Sequence, residues 1–369
     1  MSNSSASASP VPLSDALGVV PVNANTYKTF MHPDHGHGGS AQGGFAVSQI
    51  LVALRHYSTL SLNKQPDTHC VQVTYLSRLG DGEATITIHE VSRGRLNTVV
   101  RVAIQHKGKD KVVGYASQAN LSQSVGPSFQ VRDVLQPPAA PADFQKMASN
   151  NTDPYWLRSI YPWSESSMTK SFLHAERWVP RYPHPPSISE CWLRMLPHGL
   201  LITTEMLGSI IDNFARPPEN FRPGSPGSHA GLLAQGYWQQ RQEQQYLIKH
   251  ASPATTVDAL HQPENGGSGE KPISGNAVSL EDDDPGMARQ ALAYPTIMMN
   301  LEIKKKLPGS GIEWLYCRAT TKAIRGGRFD ADVVLMDREG DIVATSNQMG
   351  LMLTLAGDLT KDHAARSKL

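Results

Sequence analysis

Two adjacent glycines, Gly43-Gly44, stand directly before the run Phe45 to Leu54, in which Val47, Ile50, Leu51 and Leu54 recur at helical spacing. A helix that opens on glycine offers free backbone N–H groups and the positive end of its dipole, and an approaching carbonyl meets no Cβ. Such a terminus stabilises developing negative charge, so Gly43 and Gly44 are candidate oxyanion donors. The same pair would also let the helix pack tightly against a sheet, and both uses stay open. Arg93, Arg95, Arg325 and Arg328 flank turns. Guanidinium groups there suit phosphate, with Arg95 and Arg328 as the candidates, although charged hairpin ends often do no more than solvate a turn. His32, His35 and His37 have metal-ligand chemistry, but a Gly-rich loop with no preceding helix or strand does not hold three ligands in place. No metal and no cofactor are expected.

These groups need elements to position them. After the glycine-opened helix come alternating, β-branched runs, Cys70 to Leu79, Ala84 to His89, Thr98 to Gln105 and Val112 to Ala119, separated by turns such as Gly80-Asp81-Gly82 and Lys107-Gly108-Lys109-Asp110. The pattern repeats at Ile297 to Ile303, Glu313 to Thr321, Asp330 to Met336 and Ile342 to Met352. Arg95 and Arg328 lie 233 residues apart, and Gln118 and Gln348 lie 230 apart, so only a few loop residues separate the two alignments of the copies. The second copy's helix is expected over Gly199 to Ala215, closed by Pro217 and Pro218. Between it and Ile297 runs a long Gly-, Pro- and Ser-rich stretch, in which Gln239 to Lys249 reads as a short helix and Gln262 to Pro285 as a disordered surface loop. The domain reading is therefore a disordered leader over 1–25, a first copy over 26–136, a Pro- and Ala-rich linker over 137–155, and a second copy over 156–366 with its insertion at about 219–293. Trp156, Trp163, Trp178 and Trp192 cluster at the start of the second copy and read as core anchors.

Composition sets bounds. With 39% hydrophobic residues in 369, the chain can bury a sizeable core. A net charge of +1 and the absence of a basic stripe argue against nucleic acid. No apolar segment is long enough to span a membrane, and the Ser- and Ala-rich start lacks the basic and apolar regions of a secretory signal. Cys70, Cys191 and Cys317 read as thiols in a reducing compartment. The terminal Ser367-Lys368-Leu369 reads as the address taken by the peroxisomal import receptor. Peroxisomes handle acyl groups largely as coenzyme A thioesters, so the expected small-molecule partner is an acyl-CoA. A homo-oligomer stays open.

With the repeat in place, Gln42-Gly43-Gly44-Phe45, the run Pro295 to Lys305 and Ile342-Val343-Ala344-Thr345-Ser346-Asn347-Gln348 resemble pieces of the double hot-dog thioesterase-like proteins, particularly fungal members related to peroxisomal acyl-CoA thioesterases. The resemblance implies an α+β double hot dog: two helix-plus-antiparallel-sheet repeats forming one continuous sheet around two long helices. It also implies hydrolysis of acyl-CoA by water activated through an Asp, a Thr and a Gln of the second repeat. Gln348 matches the glutamine, and Thr321 matches the threonine by its position after Trp314. Counting from Pro295, the aspartate position falls on Met298, which cannot take a proton. Alternation puts Asn300 and Glu302 on Met298's face, so either could orient water, while Asp212 resembles an acidic residue common at the end of the second helix, and Asp330 and Asp332 are further candidates. Two other readings follow from the same frame: an accessory protein that binds acyl-CoA without cutting it, and a hot-dog enoyl-CoA hydratase. The hydratase needs an Asp and a His together at the helix entry, and neither candidate helix has that pair.

Overall fold

The computed structural model describes residues 11–37, 39–62, 64–129, 131, 134–160, 175–182, 185–213, 217–222, 224–250 and 292–354. In the first half, β1 (Val19–Asn23) and β2 (Thr26–Met31) precede α1 (Gly43–Ser61), followed by β3 (Asp67–Tyr75), β4 (Gly82–Arg93), β5 (Thr98–His106) and β6 (Lys109–Ala119). A short helix α2 (Phe144–Asn150) leads into β7 (Trp156–Ile160), β8 (Ala175–Pro180) and β9 (Ile188–Met195). Then come α3 (Leu207–Asn213), α4 (His229–His250), β10 (Thr296–Ile303), β11 (Leu315–Thr320), β12 (Arg328–Met336) and β13 (Ile342–Leu351).

All these strands join one 14-stranded antiparallel sheet in the order β1-β2-β4-β5-β6-β3-β10-β13-β12-β11-β9-β8-β7, with the two-residue strand Ile324–Arg325 pairing to β12 off that path. The order β2-β4-β5-β6-β3 of the first half is mirrored by β9-β11-β12-β13-β10 of the second, so the two copies meet back to back at β3 and β10, where Asn300 pairs with Gln72 and Glu302 with Cys70. This is the α+β double hot dog. The sheet wraps α1, which is why that helix is apolar on nearly every side: Phe45, Ala46, Val47, Ile50, Ala53 and Leu54 are all inaccessible to solvent. Strand alternation supplies the facing layer, with Val71, Val73, Met299, Leu301 and Ile303 pointing in.

The eight strands expected by alternation are present, with ends that differ by a few residues. Other expectations need correction. The second helix is short, because Ile202 is held in a β-bridge to Ile312 and Thr203 is extended, so the coil begins only with a 3-10 turn at Thr204–Met206. The leader is shorter than 25 residues: a helical turn at Leu13–Ala16 and strand β1 belong to the fold. The segment between the halves is packed structure, since Met147 and Phe144 join Trp156, Trp178, Trp192, Trp314 and Tyr316 in a second apolar cluster. Helix α4 runs 22 residues, and Gln235 and Gln239 bond to Ile160 on the outermost strand β7. Trp163, the 262–285 stretch and residues 367–369 lie outside the described residues.

Candidate active site

The N-terminus of α1 has no side-chain cap of its own, although Gln42 occupies the capping position. A residue from the other half supplies one. Asp212, on α3, accepts the Gly44 N–H on Oδ2 at 2.8 Å, which places a carboxylate at the positive end of the helix dipole. Its other oxygen, Oδ1, accepts from the Thr296 hydroxyl at 2.9 Å. Gln348, almost fully buried, donates from Nε2 to the Ile211 carbonyl at 3.1 Å and to Ser346 Oγ at 3.3 Å, and among the described residues none donates to its Oε1. The glutamine therefore anchors the residue before Asp212 and keeps an acceptor in hand. Asn213 completes the frame by donating to Gln42 Oε1 at 3.1 Å.

The close approach of the two helices rests on glycine. A Cβ on Gly44 would lie 2.2 Å from the Gly208 carbonyl oxygen and 2.5 Å from Asp212 Cβ, so packing of helix on helix decides that residue. Its N–H is also engaged by Asp212, which corrects the expectation that it is free to meet an oxyanion. Gly43 is different: a Cβ there would sit 3.0 Å from the Tyr75 hydroxyl and Cζ. Tyr75 is the last residue of β3. Its ring packs against the core, and its Oη is buried with no hydrogen-bond partner among the described residues. Burial, reinforced by the nearby Asp212 charge, pushes its ionisation well above the usual phenol range.

Several expected residues are not at this site. Thr321 bonds through its N–H to Ser187 and approaches Asp330 Oδ1 at 3.5 Å, two strands from Gln348. Asn300 meets Cys70 Sγ at 3.5 Å and Glu302 at 3.4 Å, and pairs with Asn347 on the outer face of the sheet. Met298 is on that outer face too, at 38% exposure, so its side chain is no defect in the site. Glu302 is held there by Lys304, and Asp332 by Lys322 and Asn347. Arg95 sits in the turn between β4 and β5, whose strands reach the Thr68 end of β3 through Thr98 and Gln118. The site is at the Tyr75 end, seven residues or roughly 23 Å away at ~3.3 Å per residue. Arg328 pairs with Leu351, next to the Thr296 and Gly350 pair, and stays a candidate for phosphate contact.

Thr296 and Tyr75 are the residues that sequence reasoning missed. Strict alternation from Met299, Leu301 and Ile303 sends Thr296 outward, but a β-bulge between Thr296 and Met298 inverts the face, and Thr296 lies opposite the buried Gly350. The signal present was the threonine beside Pro295, two residues before the position taken for the aspartate.

Residues 31–119 match the acyl-CoA thioesterase N-terminal domain family, and residues 137–352 match the acyl-CoA thioesterase C-terminal domain family. The chain is 26% identical over 360 residues to a thioesterase-like protein, TwmA, of Talaromyces wortmannii, covering 93% of this chain and 92% of that one. Among solved structures it is similar in fold to a putative thioesterase II from Thermobifida fusca, with 15% identity, a TM-score of 0.58 and coverage of 92% and 98%. It is likewise similar to a hot-dog protein of unknown function from Alicyclobacillus acidocaldarius, with 12% identity, a TM-score of 0.58 and coverage of 92% and 97%.

Proposed function

The chain belongs to the acyl-CoA thioesterase family, and from that premise we propose that it hydrolyses acyl-CoA at the α1 terminus, with Asp212 as general base. The observation that carries the assignment is the Asp212 carboxylate, whose two oxygens are fixed at the α1 terminus by the Gly44 N–H and the Thr296 hydroxyl. Gln348 Oε1 is the second acceptor that orients that water. Asp212 takes one water proton as the oxygen attacks the thioester carbonyl carbon. The tetrahedral oxyanion faces the first turn of α1, the C–S bond then breaks, and the proton on Asp212 passes to the departing CoA sulfur. The products are a carboxylic acid and free CoA.

Incubating the purified chain with acyl-CoAs of graded length and reading free thiol tests this. CoA release is expected. Asp212→Asn should lower kcat by about 10²–10⁴-fold, the range for a positioned general base, and Gln348→Ala by at least about tenfold. Binding of acyl-CoA with no release above background would refute hydrolysis and leave an acyl-CoA-binding protein. The accessory reading drew on Met298, and with that residue on the outer face no specific observation favours it.

The proposed setting is the peroxisome, supported by Ser367-Lys368-Leu369. With a fluorescent protein fused to the N-terminus, deleting Leu369 should leave hydrolysis intact and the signal in the cytosol. Continued import would show that this tripeptide is not the address.

A further inference from the structure

Tyr75 is a phenol from the first half of the chain at a site whose acid-base groups come from the second. Its hydroxyl is buried, has no hydrogen-bond partner among the described residues, and lies over Gly43, the first residue of α1. Buried polar groups are nearly always paired, so an orphan in a candidate catalytic site calls for a ligand to satisfy it. Asp212 is close enough for its charge to be felt at the phenol, yet no hydrogen bond joins the two, and the carboxylate already accepts from Gly44 and Thr296. A neutral phenol beside a helix N-terminus is a donor next to other donors. The group such an arrangement fits is an oxygen that gains negative charge.

Resting on the hydrolytic reading above, we propose that Tyr75 is a further catalytic residue, its O–H donating a hydrogen bond to the thioester carbonyl oxygen and holding that oxygen as it becomes an oxyanion. Asp212 and Gln348 then manage the water on one side of the carbonyl carbon, and Tyr75 with the α1 terminus receives the oxygen on the other. No proton leaves the phenol. It stays neutral across the physiological range, because burial and the Asp212 charge both oppose its ionisation. The absence of a side chain on Gly43 has a purpose in this arrangement, since a Cβ would press on the ring that carries the donor.

The test is Tyr75→Phe, which keeps the ring and removes only the unpartnered hydroxyl, so its thermal midpoint should match or exceed that of the wild type. With wild-type CoA release as reference, kcat should fall about 10²–10³-fold, the cost of deleting one oxyanion donor, with KM changed little. Two non-hydrolysable ligands separate catalysis from packing. A trifluoromethyl ketone analogue of acyl-CoA, which binds as a tetrahedral adduct, should bind Tyr75→Phe more weakly by a comparable factor, whereas a thioether analogue lacking the carbonyl should bind both proteins alike. A kcat within about twofold of wild type, or equal weakening of both analogues, would overturn the role of Tyr75 and leave the hydrolytic reading standing. A wild-type protein that releases no CoA would end that reading, and this inference with it.

Discussion

Glu190 lies inside the second half with no solvent exposure of its side chain, and the fold compensates its charge with Arg318, whose Nε is 2.7 Å away. The Tyr316 and Tyr182 hydroxyls also donate to it, the latter at 3.2 Å, and burial with the Glu190 charge pushes the Tyr182 phenol up to about 12. This network shares Tyr316 with the tryptophan cluster and serves the fold. Arg318→Met would take the guanidinium away from a buried carboxylate, and urea unfolding should show a loss of about 3–5 kcal/mol. Adding Glu190→Leu should restore much of it, since a buried pair replaced by apolar groups is often close to neutral. Wild-type stability in the single variant would mean that the charge is met in some other way. Neither residue was a sequence candidate, because a Glu and an Arg 128 positions apart carry no local mark of facing each other.

At the level of elements, the crossing of α1 over α3 sets where the chemistry can occur. Gly44 and Gly208 let the backbones touch, Ser48 Oγ accepts the Ser209 N–H at 2.8 Å, and Asp212 caps α1 from outside. Gly44→Ala would drive a methyl into the Gly208 carbonyl. A loss of about 1–3 kcal/mol in thermal or urea unfolding is expected, together with a fall in kcat as the Asp212 cap is displaced. Unchanged stability and rate would show that the helices can part without consequence. Strands were legible because β-branched residues alternate across a pleat, and α1 because its apolar residues repeat with the helical period. The parts that were not legible depend on exceptions to those periods or on distant contacts. The bulge before Met298 reverses a face that alternation assigns with no visible warning. Asp212 could be picked out as an acid near a helix end, but its partner Gly44 is 168 residues earlier.

Across the whole molecule, the two copies are alike in topology and unlike in what their matching glutamines do. Gln118 Oε1 accepts from Ser58 at 2.8 Å and from Thr68 at 3.1 Å, its Nε2 meets Thr68 Oγ1 at 2.9 Å, and none of these partners is a carboxylate. The first copy has thus closed its polar centre on itself. Gln118→Ala should cost about 1–3 kcal/mol in unfolding measurements, because the buried Ser58 and Thr68 hydroxyls lose their partner. The rate of CoA release should be unaltered, in contrast to Gln348→Ala. A comparable rate loss in both variants would show that the copies share the work.

The hydrogen-bonded joint between β3 and β10 gives the protein a latitude that a pair of identical subunits lacks. In such a pair every substitution is made twice, and weakening one centre weakens both. Continuous in a single polypeptide, the copies are free to diverge, so one can be spent on rigidity while the other is kept for turnover.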